Sequence, residues 1–185
     1  VQEEKLLLKT GEYLKSIGNN ALVICDNNIY KKFYGDLHGS LKDNNIANNV
    51  FIFSGECCPE EINKIIESIK EKKADFVFGI GGGKTLDTAK LAGFNTGLPW
   101  VMFATSASTC ASWTNVAILY TKDGVYKDTV DLGKTPNLTL VDESIIIKAP
   151  KELLLAGIGD SFAKYHEANL VYKSKLVQKD EFSEI

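Results

Sequence analysis

A short apolar run followed at once by three glycines constrains the fold of this chain more than any other stretch. The run, Phe76–Ile80, is typical of a strand that a parallel sheet buries on both faces. Gly81–Gly83 follow, and Leu86 and Ala89 then repeat at helical spacing. The segment predicts a strand, a tight turn and a helix whose free N–H groups and positive end point at an anion above the turn.

The glycine pattern does not match either of the common phosphate-binding motifs. A Rossmann G-x-G-x-x-G needs a third spaced glycine where Lys84 stands, and a P-loop needs a glycine where Phe78 stands. A phosphate site and a turn of purely structural importance both remain open on this pattern alone.

Apolar strands alternate with helical segments along the first two thirds of the chain. This order predicts an α/β fold with a parallel sheet, right-handed crossovers, and ligands at the carboxyl ends of the strands. A hairpin and one more sheet strand follow. The predicted strands are Ala21–Cys25, Asn49–Phe53, Phe76–Ile80, Trp100–Ala104, Asn115–Thr121, Val125–Val130 and Asn137–Asp142.

Polar residues directly after two of these strands are candidate ligand contacts. Asp26 is well placed to bind a ribose hydroxyl, although the residues alone favour a helix N-cap. Thr105–Thr114 is a run of small, hydroxyl-rich residues that would let a cofactor pack closely against the backbone. A plain polar loop has the same composition.

The character of the chain changes near Lys148, where we place a domain boundary. Residues 1–148 are predicted to form the α/β domain, with an incomplete N-terminus. Pro150 opens a helical stretch, Gly157-Ile-Gly-Asp160 interrupts it, and Ser161–Val177 is helical again. Two helices cannot close a core, so residues 149–185 are expected to begin an all-helical domain.

Composition excludes several classes of protein. The net charge of −3 and the pI of about 5.5 give no electrostatic footprint for nucleic acid, and no membrane-spanning or signal segment is visible. Cys25 and Cys110 stand alone, and Cys57 and Cys58 are adjacent, which would strain a disulfide. We therefore expect reduced thiols, no structural zinc and a cytoplasmic protein.

Several blocks of the sequence resemble one family, in the family's order. They are GEYLKSIGNNALVICD, GIGGGKTLDTAK, ATSASTCASWTNVAILYTKDG, PNLTLVDESIIIKAP and LLAGIGDSFAKYHEA. Together they are similar to the glycerol dehydrogenase branch of the iron-containing alcohol dehydrogenase superfamily, which also includes the dehydroquinate synthases. The resemblance implies a nucleotide-binding α/β domain followed by a helical domain.

The resemblance also implies roles for individual residues, although it assigns no catalytic group. Asp26 would hold the adenosine ribose and, by its charge, favour NAD over NADP. Asp160 matches the family's first ligand to a divalent metal, zinc or iron, whose two histidine ligands lie further along than this sequence reaches. His166 is about 120° around the helix from Asp160 and cannot replace them. The pyrophosphate would be surrounded by Gly82, Gly83, Lys84, Thr85, Leu86 and Asp87, and the groove towards the nicotinamide would be lined by Thr105, Ser108, Thr114, Val116 and Tyr120.

Cys110 departs from the glycerol-using pattern. Those members carry an aspartate there that contacts the substrate diol, whereas STCASWT resembles a sister branch that reduces 2-oxo acids. We therefore predict an NAD-dependent, metal-assisted oxidoreductase acting on the CH–OH group of a small polyol or 2-hydroxy acid, homo-oligomeric as the full-length parent. A dehydroquinate-synthase-like lyase is disfavoured, because Lys84 is the single basic residue of the loops. A nucleotide-binding module without chemistry is the third possibility.

Overall fold

A computed structural model describes residues 1–174 of the chain. Fifteen elements follow one another, the first helical one being a short 3₁₀ turn at Leu6–Lys9. The strands are β1 Gln2–Glu3, β2 Asn20–Cys25, β3 Ala47–Ile52, β4 Phe76–Gly81, β5 Trp100–Ala104, β6 Val116–Tyr120, β7 Tyr126–Asp131 and β8 Leu138–Asp142. The helices are α1 Thr10–Leu14, α2 Asn27–Asp43, α3 Pro59–Lys72, α4 Gly83–Thr96, α5 Glu143–Ile146 and α6 Lys151–Ser174.

Six strands form one parallel sheet in the order β1-β8-β5-β4-β2-β3. The predicted α/β fold with a parallel sheet is therefore confirmed. β4 lies inside the sheet between β5 and β2, and Gly81 pairs with Ala104 at its carboxyl end. The polar segments that follow β2, β4 and β5 consequently meet at one edge.

Alternate residues of the inner strands point to opposite faces of the sheet and build two cores. Leu22, Val77 and Met102 face α3 and α4. Helix α3 begins with Pro59 at its first position, and its apolar stripe packs on this face of the sheet. On the other face, Val23 and Phe78 join the aliphatic residues of α1 and α2. Helix α4 can pack closely over β4 because Gly79 has no side chain. A Cβ at that position would lie only 2.7 Å from the Cβ of Ala89.

A two-stranded antiparallel hairpin, β6 and β7, stands outside the main sheet. It covers the outer side of α4, so that helix is buried between the sheet and the hairpin. Five of the six residues of β7 are exposed. The hairpin predicted around the Lys122-Asp123-Gly124 turn is confirmed.

Helix α6 corrects one sequence prediction. The segment Gly157-Ile-Gly-Asp160 does not interrupt the helix, which runs unbroken from Lys151 to Ser174. Glycine lowers helix stability by about 1 kcal/mol relative to alanine, but it keeps its N–H and need not end a helix. The prediction of two helices is therefore wrong, and its Val177 end lies outside the described residues. No residue of α6 is buried.

Two smaller differences concern the first strand and the first helix. A two-residue strand such as β1 leaves no periodicity in the sequence. Leu6, Leu7, Tyr13, Leu14 and Ile17 repeat at helical spacing, which predicts one helix, but the segment is divided into the 3₁₀ turn and α1. All four cysteines are free, as expected. No helix within residues 1–174 is long and apolar enough to cross a membrane.

Candidate functional site

The glycine turn leaves the N-terminus of α4 open. Gly81 ends β4 with φ +156°, and Gly82 is the N-cap without any side chain capping the helix. A Cβ on Gly82 would meet no atom within 4 Å. The first N–H groups of α4 therefore face free space at the positive end of the helix, which is the geometry that binds an anion.

A cavity of about 490 Å³ begins at this turn and extends between the small-residue loop, the hairpin and α6. A second cavity, of about 520 Å³, continues between that loop and α6, where Cys110 and Asp160 line both. The first is lined by Gly83, Lys84, Asp87, Thr109, Cys110, Ala111, Thr114, Val116, Ile118, Tyr120, Asp160 and Lys164.

The loop at 105–114 packs directly on the glycine turn. The N–H of Thr105 donates to the carbonyl of Gly81 at 3.2 Å, and a Cβ on Gly83 would lie 3.2 Å from Thr109 Oγ1. A side chain at position 83 would therefore require Thr109 to move by a few tenths of an ångström. Ser108 hydrogen-bonds Ser106 at 3.1 Å within the loop and does not line the first cavity.

A buried ion pair fixes the hairpin against α4. Lys90 is fully buried, and its Nζ lies 2.8 Å from Asp87 Oδ1. Asp87 also accepts a hydrogen bond from the N–H of Ile118 at 3.1 Å, while Lys90 donates to the carbonyl of Val116. Burial raises the pKa of Asp87, and the Lys90 ammonium and the Ile118 N–H oppose that rise.

Lys84 closes the cavity on the side of the β3–α3 loop. Its Nζ lies 2.6 Å from Glu56 Oε1 and 5.1 Å from the centre of the Tyr120 ring. The N–H of Tyr120 donates to the carbonyl of Cys57 at 2.8 Å. The loop, the first turn of α4 and the end of β6 are thus joined at one point.

Asp26 is the N-cap of α2. Its Oδ1 accepts hydrogen bonds from the N–H groups of Asn28 at 2.7 Å and Ile29 at 2.9 Å. Asp26 is half-buried and follows β2, which pairs with β4, so it lies at the same edge of the sheet as the glycine turn. The capping interpretation is thereby confirmed, and the ribose contact stays a prediction.

Asp160 lies on α6 and forms an ion pair with Lys164, one turn further along. This hydrogen bond raises the pKa of Lys164. His166 packs edge-on against Tyr165 with ring centres 5.5 Å apart. Within residues 1–174, no three histidine, cysteine or acidic side chains are grouped so that they could hold a metal ion.

The structure therefore brings most of the predicted site residues together. Thr85 and Leu86 are buried beneath the turn, where the N–H of Leu86 donates to the carbonyl of Gly82. Asp26, Gly82, Thr105 and Ser108 also lie outside the lining of the first cavity. The predicted residues that line the first cavity are Gly83, Lys84, Asp87, Cys110, Thr114, Val116, Tyr120 and Asp160.

Sequence reasoning missed Glu56, Lys90 and Thr109. Lys90 carried a usable signal, since it follows Asp87 by three residues on the same predicted helix. Glu56 also carried one, since it is a charged residue just after a strand of the parallel sheet.

Comparison with known proteins decides the family. A family model described as iron-containing alcohol dehydrogenase matches residues 1–143 of the 185. The chain belongs to the iron-containing alcohol dehydrogenase family. The resemblance expected from the sequence is confirmed.

Relatives within the iron-containing alcohol dehydrogenase family include named dehydrogenases. Glycerol dehydrogenase of Citrobacter freundii is 36% identical over 165 residues, which cover 89% of this chain and 45% of the relative. Hydroxycarboxylate dehydrogenase A of Escherichia coli is 37% identical over 117 residues, or 63% of this chain and 32% of the relative.

Solved structures agree with this assignment. A probable glycerol dehydrogenase from Sinorhizobium meliloti matches with a TM-score of 0.81 and 33% identity, over 88% of this chain and 44% of that one. The chain thus spans less than half the length of these relatives.

Proposed function

We propose that the protein binds NAD in the cavity above α4 and that, as the full-length parent, it is a metal-assisted oxidoreductase acting on the CH–OH group of a small polyol or 2-hydroxy acid. One observation carries the proposal. A single cavity joins the uncapped N-terminus of α4 and Lys84 to the small-residue loop and to Asp160.

The glycine turn fits the pyrophosphate of a dinucleotide. Gly82 leaves free space above the helix N-terminus, and Lys84 lines the cavity that begins at Gly83, so backbone N–H groups and one flexible cation would be available to the same anion. Asp26, at the same sheet edge, would receive a ribose hydroxyl and repel a 2′-phosphate. These features favour NAD over NADP.

The rest of the cavity would hold the nicotinamide end. Bound NAD would accept a hydride from the carbinol carbon of the substrate. Thr114, Val116 and Tyr120 would form one wall, which Asp87 and Lys90 hold in place from beneath through hydrogen bonds to β6. A wall fixed by buried groups would orient the ring and exclude water from one side of it.

A metal ion does not fit the described residues by themselves. Asp160 is paired with Lys164, and within residues 1–174 it has no histidine, cysteine or carboxylate neighbours that complete a ligand set. We therefore derive no step through a metal. Asp160 would supply one oxygen ligand if further ligands come from another part of the parent protein.

The environment of Cys110 favours an anionic substrate over glycerol. A thiol does not repel a carboxylate, whereas an aspartate at the same position would, and Lys164 lines the same cavity. We expect the full-length parent to use a small 2-oxo or 2-hydroxy acid better than glycerol. A higher kcat/KM for glycerol would contradict this part of the proposal.

Replacing Gly82 tests the dinucleotide site itself. Gly82→Ala meets no protein atom at a φ of −88°, so the melting temperature should not change, but its methyl group would occupy the space above the turn. We expect at least a tenfold loss of NAD affinity in a calorimetric titration of the protein.

Gly35→Ala is the matched control, because its added methyl group also meets no atom within 4 Å and lies on α2. It should bind NAD as the unmodified protein does. NAD binding unchanged in Gly82→Ala would contradict the assigned site.

A further inference from the structure

We propose that Glu56 is a specificity-determining residue, whose carboxylate competes with the pyrophosphate of the ligand for the ammonium group of Lys84. The inference rests on the proposed dinucleotide function, which it deepens. Glu56 is in the β3–α3 loop and contacts Lys84 across the edge of the cavity, with Nζ and Oε1 2.6 Å apart.

Lys84 is free to change partners. Its side chain is 45% exposed, and it is anchored by one carboxylate contact and by the face of the Tyr120 ring. A lysine has four rotatable bonds, so its ammonium can turn from Glu56 towards an anion above Gly82. The ring contact can persist during that movement, because a ring face attracts the cation without fixing its direction.

Backbone hydrogen bonds fix the loop that carries Glu56. The N–H of Cys58 donates to the carbonyl of Glu56 at 3.0 Å, and the next residue, Cys57, is bonded through its carbonyl to Tyr120. The Oε2 atom is buried and receives no hydrogen bond from residues 1–174. Lys84 is the one cation at salt-bridge distance from Glu56 within residues 1–174, so a pyrophosphate that binds Lys84 breaks the ion pair of this carboxylate.

Charge pairing around the cavity makes this competition matter. Each lysine that lines or supports the cavity has a carboxylate partner: Lys84 has Glu56, Lys90 has Asp87 and Lys164 has Asp160. The helix N-terminus supplies only partial positive charge. An incoming pyrophosphate must consequently take Lys84 from Glu56, which lowers the affinity for multiply charged anions.

Removing the Glu56 charge tests the proposal. In Glu56→Gln we expect the calorimetric dissociation constants for NAD and for inorganic pyrophosphate to fall three- to tenfold. The dissociation constant for adenosine, which carries no phosphate, should not change. The salt dependence of NAD binding should become steeper, because an unpaired cation then meets the anion.

Two further variants separate competition from simple repulsion. In a Lys84→Met background, Glu56→Gln should change pyrophosphate affinity less than twofold, because there is no ammonium to release. Glu60→Gln is the matched control, since it removes a carboxylate four residues away that is exposed and contacts no lysine at salt-bridge distance. It should leave all three affinities unchanged.

Each other outcome contradicts the proposal in a distinct way. Weaker pyrophosphate binding in Glu56→Gln would mean that Glu56 positions Lys84 for the ligand. If Glu56→Gln increased pyrophosphate affinity equally in the unmodified protein and in the Lys84→Met background, Glu56 would act by repulsion alone. Should pyrophosphate respond as expected while NAD binds to none of the variants, the proposed function fails and the competition stands.

Discussion

Asp26 combines two requirements in one side chain, since its Oδ1 caps α2 and its charge faces the edge of the sheet where the dinucleotide would lie. Asp26→Asn should separate them, because the amide oxygen keeps the cap and the charge disappears. We expect calorimetric titrations of Asp26→Asn to show NADP affinity rising at least tenfold relative to NAD, with the free energy of unfolding changed by less than about 0.5 kcal/mol.

Asp26→Gly is the comparison variant, because it removes the charge and the capping oxygen together. Asp26→Gly should relax the preference for NAD over NADP as much as Asp26→Asn does, and it should lower the free energy of unfolding by a few tenths of a kcal/mol. Equal affinities for NAD and NADP in the unmodified protein would mean that Asp26 is a cap and nothing more.

Lys90 gives a prediction with a defined pH dependence. Lys90→Met leaves the Asp87 carboxylate buried without its cation, which should lower the free energy of unfolding by about 3 kcal/mol at pH 7. The pKa of Asp87 is already raised by burial and rises further without Lys90. In the folded variant Asp87 therefore holds a proton that it releases on unfolding. The loss of stability caused by Lys90→Met should consequently become smaller as the pH falls from 7 towards 4.

Urea unfolding at several pH values measures this effect. The double variant Asp87→Asn with Lys90→Met is the control, because it removes both charges and should show a smaller loss with little pH dependence. A loss in Lys90→Met that does not vary with pH would mean that packing, rather than the unpaired charge, is responsible.

Individual residues show where sequence reasoning succeeds and where it stops. The Asp160–Lys164 pair follows from helical spacing, and the Asp26 cap follows from an aspartate between a strand and a helix. The Asp87–Lys90 pair also follows from helical spacing, but the contacts of Lys84 with Glu56 and of Lys90 with the carbonyl of Val116 depend on tertiary packing. Local spacing carries no information about such contacts.

At the scale of elements, α6 depends on one glycine for its position. A Cβ on Gly157 would lie 1.8 Å from the carbonyl oxygen of Ala107, so Gly157→Ala must push α6 away from the small-residue loop. Trp113, which lines the cavity between them and is 55% exposed, should then shift its fluorescence emission to the red. Trp100 is fully buried and should contribute no change.

Gly159→Ala is the matched control on the same helix. No atom lies within 4 Å of its added methyl group, and the change should stabilise the helix by up to about 1 kcal/mol without altering the Trp113 spectrum. Identical spectra for the two variants would show that α6 does not depend on close contact with Ala107.

Elements were predicted best where burial dictates composition. The inner strands β2, β4 and β5 read as apolar runs because both of their faces are covered, whereas β3 lies at the edge of the sheet and begins two residues before the predicted strand. The continuity of α6 could not be predicted, because Gly157 is explained by a contact with a distant loop and Gly159 leaves the helix unbroken.

At the scale of the whole molecule, nucleotide binding and metal chemistry should be separable. With Asp160 as the one predicted ligand within residues 1–174, we expect EDTA to change neither the NAD affinity nor the melting temperature of the 185-residue chain. Absorbance at 340 nm should show no NAD-dependent turnover. Chelator-sensitive binding, or any turnover, would show that a metal site forms within this chain.

The buried ion pair beneath the hairpin also helps to protect the protein against aggregation with other copies of itself. A strand edge with free N–H and carbonyl groups is a template for a strand of another chain. On β6 those groups are occupied: Lys90 binds the carbonyl of Val116, Asp87 binds the N–H of Ile118, and Cys57 binds the N–H of Tyr120. Helix α4 and the β3–α3 loop therefore make the hydrogen bonds that a neighbouring strand would make to β6, and β7 is the open edge of the hairpin. β7 carries charged side chains at Lys127, Asp128 and Asp131, and these charges discourage edge-to-edge aggregation.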